Sequence, residues 1–319
     1  MKKVIVFGGG TGLSCLLSGL KLFPVEVTTV ITVSDNGSST GVLKQEFDIP
    51  AVGDVGKVLL AMANADDDLI RLLRYRFHRE GSSLDNHPVR NILLTALIDL
   101  KGNLTEATRF MCGLLNIRGA VLPLTEEKVE LVGRSATGGQ DFIGEESVSA
   151  NVRNISGLSY DHDIHIADAV KQAIAESDLI IFSPGSLYTS ILPHLIVDDI
   201  VETISRARAP IMYVSNLVTQ PGETDRYNVS DHLSVLNAHL LNRRVDVVVG
   251  NNAQIDARIV SRSLDSENKT LVALDREAIA EQGAQIIEDD IFSIDEEGRI
   301  RHNALKTAFL IFSYLMRDS

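Results

Sequence analysis

The chain has no tryptophan, and phenylalanine and tyrosine bring its aromatic share to only 5%. Little ring surface is therefore available to stack a flat acceptor, although one well-placed tyrosine would suffice. Cysteine is equally scarce: Cys15 and Cys112 show no paired spacing, as expected in a reducing compartment. No stretch approaches the ~20 apolar residues of a membrane span. Met1-Lys2-Lys3 resembles a signal n-region, but glycines interrupt the apolar run behind it after four residues. The expected location is the cytoplasm. Positive charge is short as well. Lysine and arginine number 30 against 43 acids, a net charge of -13 that argues against a nucleic-acid binder, whose surface needs clustered cations. An anionic ligand must then be held by local dipoles or a few well-placed cations.

What remains is an ordinary globular composition, 45% hydrophobic and 23% charged, long enough to bury one large core or two modest ones. Five apolar runs read as parallel strands: Val4 to Phe7, Val27 to Val33, Leu179 to Ser183, Ile211 to Ser215 and Val245 to Val249. Apolar residues recur at helical spacing in Val55 to His78, Val89 to Leu100, Thr105 to Leu115, Ile166 to Glu176 and Leu195 to Arg208. This alternation predicts a mostly parallel sheet covered on both faces. Between about residues 117 and 160 the texture turns β-rich. There Val129 to Gly133 and Gln140 to Gly144 flank a Thr137-Gly138-Gly139 turn, the pattern of a hairpin insertion. Asn303 to Met316 reads as an amphipathic helix docked on the body. With no repeat or linker, residues 1–319 are expected to form one α/β domain.

The polar, glycine-bearing segments all follow strands. Gly8-Gly9-Gly10-Thr11-Gly12-Leu13 follows the first, where uncovered N–H groups at a helix N-terminus attract phosphate. Its match to the dinucleotide fingerprint is imperfect, because Leu13 holds the third glycine position. No lysine follows, which excludes a P-loop. Ser34-Asp35-Asn36-Gly37-Ser38-Ser39-Thr40-Gly41 comes second: Asp35 is either a ribose ligand or a turn residue, and the segment behind it is a candidate anion nest. Pro184-Gly185-Ser186-Leu187-Tyr188-Thr189-Ser190 lacks the G-x-S-x-G of a nucleophile elbow. Its Ser186, Thr189 and Ser190 read as hydrogen-bond donors to phosphate or sugar, or in the case of Ser186 as a helix cap. Asn216, Thr219 and Gln220 belong to the fourth loop. Strand C-termini of a parallel sheet share one edge, so these loops should converge on one cleft.

Other clusters have plainer explanations beside them. His87 and Asn91, one helical turn apart, face the cleft together or merely follow a cap. Asp161, His162, Asp163 and His165 look like metal ligands, yet a solvated loop before a helix is preferred. Arg301, His302, Asn303 and Lys306 either close over an anion or form an exposed basic patch.

Together these segments resemble the YvcK branch of the CofD-like family, bacterial proteins often called gluconeogenesis factors. The resemblance runs from Val4 to about Lys306. It is carried by the Phe7 to Ser14 loop, Asp48-Ile49-Pro50 with Gly53-Asp54, Pro184 to Ser190 with Leu192-Pro193, Thr219-Gln220, Gly222-Glu223-Thr224-Asp225, Ser230-Asp231-His232 and Arg301-His302-Asn303-Ala304. It implies a Rossmann-like three-layer α/β/α fold with a small β-hairpin insertion. For the YvcK branch it implies binding of a UDP-sugar, UDP-N-acetylglucosamine in particular, and control of cell-wall synthesis and cell shape on gluconeogenic carbon, with no established reaction and no required cofactor. Self-association and regulatory protein partners stay open.

The other branch transfers a phospholactyl group from a guanosine diphosphate carrier to a deazaflavin with magnesium, which Asp35 and Asp54 would hold here. The candidate nucleotide site comprises Gly8 to Leu13, Asp35, Asn36, Ser38, Ser39, His87, Asn91, Pro184, Gly185, Ser186, Thr189, Ser190, Asn216, Thr219, Gln220 and Arg301. Three departures stand out. Asn36 replaces a frequent aspartate, which weakens a magnesium site. Gly56-Lys57 replaces Arg-Asn after Gly53-Asp54-Val55, and Arg90 stands where a glycine is usual. Whether Arg90 or Lys57 supplies the missing cation is left open. A nicotinamide dehydrogenase, the third reading, lacks the full fingerprint and an acid–base pair.

Overall fold

A computed structural model describes residues 1–256 and 269–317. The apolar runs form the middle of a seven-stranded sheet. Its strands are β1 (Lys2–Gly8), β2 (Val25–Ile31), β3 (Gly119–Pro123), β7 (Leu179–Phe182), β8 (Ile211–Val214), β9 (Val247–Asn251) and β10 (Gln285–Asp289). The order is β10-β9-β8-β7-β1-β2-β3, every pair parallel. Val4, Ile5, Val6 and Phe7 are at most 1% exposed, because β1 lies between β2 and β7 and is covered on both faces. Helices on both sides complete a Rossmann-like three-layer α/β/α architecture.

The order has one consequence for function. From β1 the chain steps outward through β2 to β3; from β7 it steps the other way through β8 and β9 to β10. β1 and β7 are therefore neighbours whose following loops depart in opposite directions. That is the topological switch point, where open α/β sheets leave a crevice at the strand C-termini.

The five expected strands are all present, and β3 and β10 extend the sheet at its two edges. Each edge strand has one buried face interrupted by polar or exposed residues, so neither stands out as an apolar run. β3 belongs to the main sheet although it falls within residues 117–160. The insertion proper is a separate antiparallel sheet of β4 (Leu131–Ser135), β5 (Phe142–Ile143) and β6 (Ile155–Tyr160), in the order β5-β4-β6. Its expected hairpin pairs Val132 with Ile143 and Gly133 with Phe142. A short ribbon of β11 (Phe292–Ile294) and β12 (Ile300–His302) precedes the last helix.

The helices used below are α1 (Gly10–Leu20), α2 (Ser38–Glu46), α3 (Gly53–Met62), α4 (Asp67–Arg74), α5 (Val89–Lys101), α6 (Leu104–Leu114) and α7 (Glu145–Asn151). The expected helix Val55 to His78 is two helices, α3 and α4. Asp66 breaks it by capping α4, accepting a hydrogen bond from the Asp68 N–H. The expected helix Leu195 to Arg208 is likewise divided, into Leu192–Leu195 and Asp198–Arg206. α2 forms where a polar loop was expected. The tail helix, Ala304–Leu315, is capped by Asn303 and packs on α1.

Candidate functional site

The Gly8 to Gly12 turn and the segment after β7 touch. A Cβ added to Gly12 would lie 2.2 Å from the Pro184 carbonyl oxygen, so only glycine permits this approach. Gly10 takes a left-handed φ of 64°, turning the chain from β1 into α1. Asn216, on the loop after β8, holds the opposite wall. It accepts from the Gly185 N–H at 2.9 Å and donates to the Gly185 carbonyl at 2.8 Å. Between these loops lies a cleft of about 380 Å³. Gly9, Gly10, Thr11 and Gly12 line one side and Pro184, Gly185, Ser186, Ser190, Asn216, Thr219 and Gln220 the other, with Arg301, Lys269 and Cys15 at its border.

The floor of this cleft is a helix N-terminus. Gly9 provides no side-chain cap, and no acid lies in the first turn of α1. The N–H groups of Gly10, Thr11 and Gly12 have no intrahelical acceptor. Asp54 at the head of α3 takes the first, accepting from Gly10 at 2.9 Å, and its other oxygen pairs with Lys57 Nζ at 2.7 Å. Thr11 and Gly12 are left facing the cleft with the positive end of the helix behind them.

A second chamber of about 540 Å³ shares Ser186, Ser190 and Gln220 with the first and adds Asp35, Glu145 and Thr189. Here carboxylates crowd together. Burial, then the negative charges of Asp35 and Asp54, push the Glu145 carboxyl up to about 8. Burial likewise raises Asp35, against the opposing hydrogen bond from the Gly37 N–H at 2.9 Å. Glu223 is 4% exposed and accepts from Ser149, Ser186 and Gln220, each at 2.6 Å. The Ser186 hydroxyl also accepts from the Thr189 N–H and hydroxyl, at 3.0 and 2.8 Å, so its hydrogen-bonding capacity is filled inside the wall.

Glu145 and Glu223 were missed as site residues in the sequence. Glu223 lies within the Gly222-Glu223-Thr224-Asp225 segment noted for the resemblance, whereas Glu145 carries no signal: it sits at the head of α7 in the insertion.

Other expected site residues lie elsewhere. Ser39, His87 and Asn91 meet one another between α2 and α5, with the Ser39 hydroxyl 2.9 Å from His87 Nδ1 and 3.2 Å from Asn91 Nδ2. All three are buried, and they line neither chamber. Ser38 is exposed at the start of α2, and Asn36 packs against Gly144 of the insertion. Gly8 and Leu13 are buried in the junction behind the cleft. Of the basic cluster, Arg301 borders the cleft and pairs with Asp295 at 3.1 Å, whereas Lys306 pairs with Asp290 at 2.9 Å. His162 bridges Glu127 and Asp161, each at 3.1 Å, and the His165 N–H also reaches Glu127. The Arg90 stem lies on Gly56, where a Cβ would stand 3.0 Å from Arg90 Cδ.

Two histidines, His194 buried and His302 half-buried, tie the loops to the sheet. His194 Nε2 lies 3.3 Å from the Gly8 carbonyl and His302 Nε2 lies 2.9 Å from that of Ser215; burial lowers both to about 4. Both are therefore neutral donors at pH 7. Unfolding restores an ordinary value near 6.5, so the unfolded chain binds more protons between pH 6.5 and 4. Stability should fall as pH drops through that window, by on the order of 3 kcal/mol for the fully buried His194. Urea unfolding at stepped pH tests this, and His194→Gln should flatten the acid slope.

The model of the family described as 2-phospho-L-lactate transferase CofD matches residues 4–292. The chain belongs to the CofD family. It is 36% identical over 314 residues to a Bacillus subtilis protein named gluconeogenesis factor, covering 98% of each. A Halalkalibacterium halodurans protein of the same name is 36% identical over 319 residues, covering 100% of this chain and 98% of its own. A crystal structure of a Bacillus halodurans protein superposes with a TM-score of 0.91 at 36% identity, over 98% of this chain and 99% of that one. No helix among the described residues is long and apolar enough to cross a membrane.

The magnesium expected under the transferase reading directs attention to Asp35 and Asp54. Asp54 directs one oxygen to the Gly10 N–H and the other to Lys57, and Asp35 accepts from Gly37. Among the described residues no group of three or more histidine, cysteine, aspartate or glutamate side chains is placed to hold a metal ion. Lys57 Nζ occupies the Asp54 oxygen that a magnesium ion bridging Asp35 and Asp54 would need.

Proposed function

We propose that this CofD-family chain is a sugar-nucleotide-binding regulatory protein, with UDP-N-acetylglucosamine or a close relative as ligand. The observation that carries the reading is the pair of free N–H groups on Thr11 and Gly12, at a helix N-terminus facing a switch-point cleft. The diphosphate sits on these amides and on the Thr11 hydroxyl, the usual place for such a bridge. Arg301 neutralises charge from across the cleft. The amide-rich wall of Gly185, Asn216, Thr219 and Gln220 takes up the sugar or the nucleoside. Gluconeogenesis factor as the name of two full-length relatives supports a role in carbon metabolism, and control of cell-wall synthesis and shape is part of the same proposal.

A phosphoryl-group transferase of the CofD type is the second reading. It is favoured by the family's transferase description and by the carboxylates of Asp35, Asp54 and Glu145 beside the cleft. A thermal-shift comparison of UDP-sugars, GDP and NAD, with and without magnesium, separates the two. Metal-independent stabilisation by the UDP-sugar supports the regulator, and magnesium-dependent turnover of a nucleotide donor supports the transferase. Thr11→Ala removes a hydrogen bond to a charged phosphate. Affinity for UDP-N-acetylglucosamine should fall tenfold or more, about 1.5–3 kcal/mol, and unchanged calorimetric binding would take Thr11 out of the site.

A further inference from the structure

Beside the nucleotide cleft lies a separate cavity of about 420 Å³ with a different electrostatic character. It is lined from α1 by Thr11, Ser14, Cys15 and Ser18, and by Lys57, Arg74 and Arg90 from α3, α4 and α5; only Thr11 and Cys15 are shared with the cleft. Ser14 and Ser18 give their hydroxyl protons to the Gly10 and Cys15 carbonyls. With Thr11 committed to the diphosphate, the donors that remain are the three cations. Lys57 is paired with Asp54; neither Arg74 nor Arg90 makes an ion pair within 4 Å among the described residues, although the charge of Asp54 reaches Arg90 from farther off.

Arg90 is the decisive side chain. Because residue 56 is glycine, the arginine stem crosses α3 where a side chain would otherwise stand. This brings the guanidinium over α3, with Nε buried and without a hydrogen-bond partner. Burial and the charges of Arg76 and Arg74 lower its proton affinity, so the cations repel one another. A buried donor with no acceptor is costly, and Arg90 Nε beside the exposed Arg74 and Lys57, in a chain of net charge -13, calls for an anion. A guanidinium fork with a neighbouring ammonium matches the oxygens of a phosphoryl group.

We propose that this cavity is a second anion site, which takes the phosphoryl group of a small phosphorylated metabolite and is distinct from the nucleotide cleft. Through Thr11 and the first turn of α1 its occupant lies next to whatever fills the cleft, so the two sites can sense each other. The proposal does not depend on which nucleotide the cleft binds.

The test is calorimetric titration of the full chain with inorganic phosphate and with glucose 1-phosphate at constant ionic strength, alone and after saturation with UDP-N-acetylglucosamine. Saturable binding of either phosphate probe is expected, and it should persist in the nucleotide-loaded protein. A preference for the ester points to a sugar phosphate, and equal binding to free phosphate. Arg90→Met keeps the stem over Gly56 and removes the charge; affinity should fall about tenfold, and Arg90→Lys should recover part of it. Arg74→Ala, at an exposed position that does not endanger folding, should weaken binding by about threefold or more. The proposal is overturned by an absence of saturable phosphate binding, by unchanged affinity in Arg74→Ala and Arg90→Met, or by one-for-one displacement of phosphate by the nucleotide.

Discussion

Gly12→Ala should abolish nucleotide binding and destabilise the fold by about 2–4 kcal/mol, the range of overpacked and strained sites. The added methyl would stand 2.2 Å from the Pro184 carbonyl oxygen and 2.8 Å from its carbon. Both belong to main chain, so no rotamer change relieves the clash. The loop after β7 must move away from α1, and Asn216 must release Gly185 or follow it. Gly10→Ala offers a contrast, since no atom lies within 4 Å of its added Cβ and only the left-handed φ of 64° opposes it. That cost is about 1–2 kcal/mol, with the cleft walls left in place. Chemical denaturation with UDP-N-acetylglucosamine titration on both variants checks the difference. Equal effects at the two positions would mean that contact between the loops is not what shapes the cleft.

Glu145→Gln should stabilise the protein above pH 8 and make no difference below about pH 4.5. The folded carboxyl sits at about 8 and the unfolded one at the ordinary 4.5. Between these values the unfolded chain has given up its proton and the folded one has not. Stability is therefore complete below the unfolded value and is lost as pH rises through the folded one. Glutamine does not ionise and escapes the loss. Glu145 is half-buried, so the full shift must be discounted for solvent; a gain of about 2–3 kcal/mol at pH 9 is expected. Urea midpoints of the parent and Glu145→Gln at pH 4.5, 7 and 9 measure it. A parallel pair of pH curves would show that Glu145 ionises freely beside Asp35 and Asp54. The acids Asp35 and Glu145 offer an anion in the second chamber no positive charge, which favours the chamber floored by Thr11 and Gly12 for the diphosphate.

Much of this site is legible in the chain because a parallel sheet turns sequence order into spatial order. Once Val4 to Phe7 and Leu179 to Ser183 are read as strands, their following loops must emerge on one edge, and Thr11 and Pro184 meet there. Side-chain partners are another matter. Ser39, His87 and Asn91 have the chemistry of ligands, yet they use it on one another to seat α2 on α5. Ser186 reads as a phosphate donor or a cap, and the structure shows its hydroxyl held by Glu223 and Thr189.

Glu145 reaches the site only because the insertion folds back over the second loop, a tertiary contact with no local pattern. The edge strands β3 and β10 are short and bury one face, so pairing with β2 and β9 determines them more than their own residues do. The exchange of Gly56 and Arg90 is visible in one dimension as two separate departures. Only their packing shows that one side chain fills the space left by the other.

The most direct test of the central claim is the structure of the protein with bound UDP-N-acetylglucosamine. The diphosphate is expected within hydrogen-bonding distance of the Thr11 and Gly12 N–H groups, with Pro184 and Gly185 against its other side and Arg301 facing it. A nucleotide whose phosphates instead lie among Asp35, Asp54 and Glu145, bridged by a metal ion, would contradict the account.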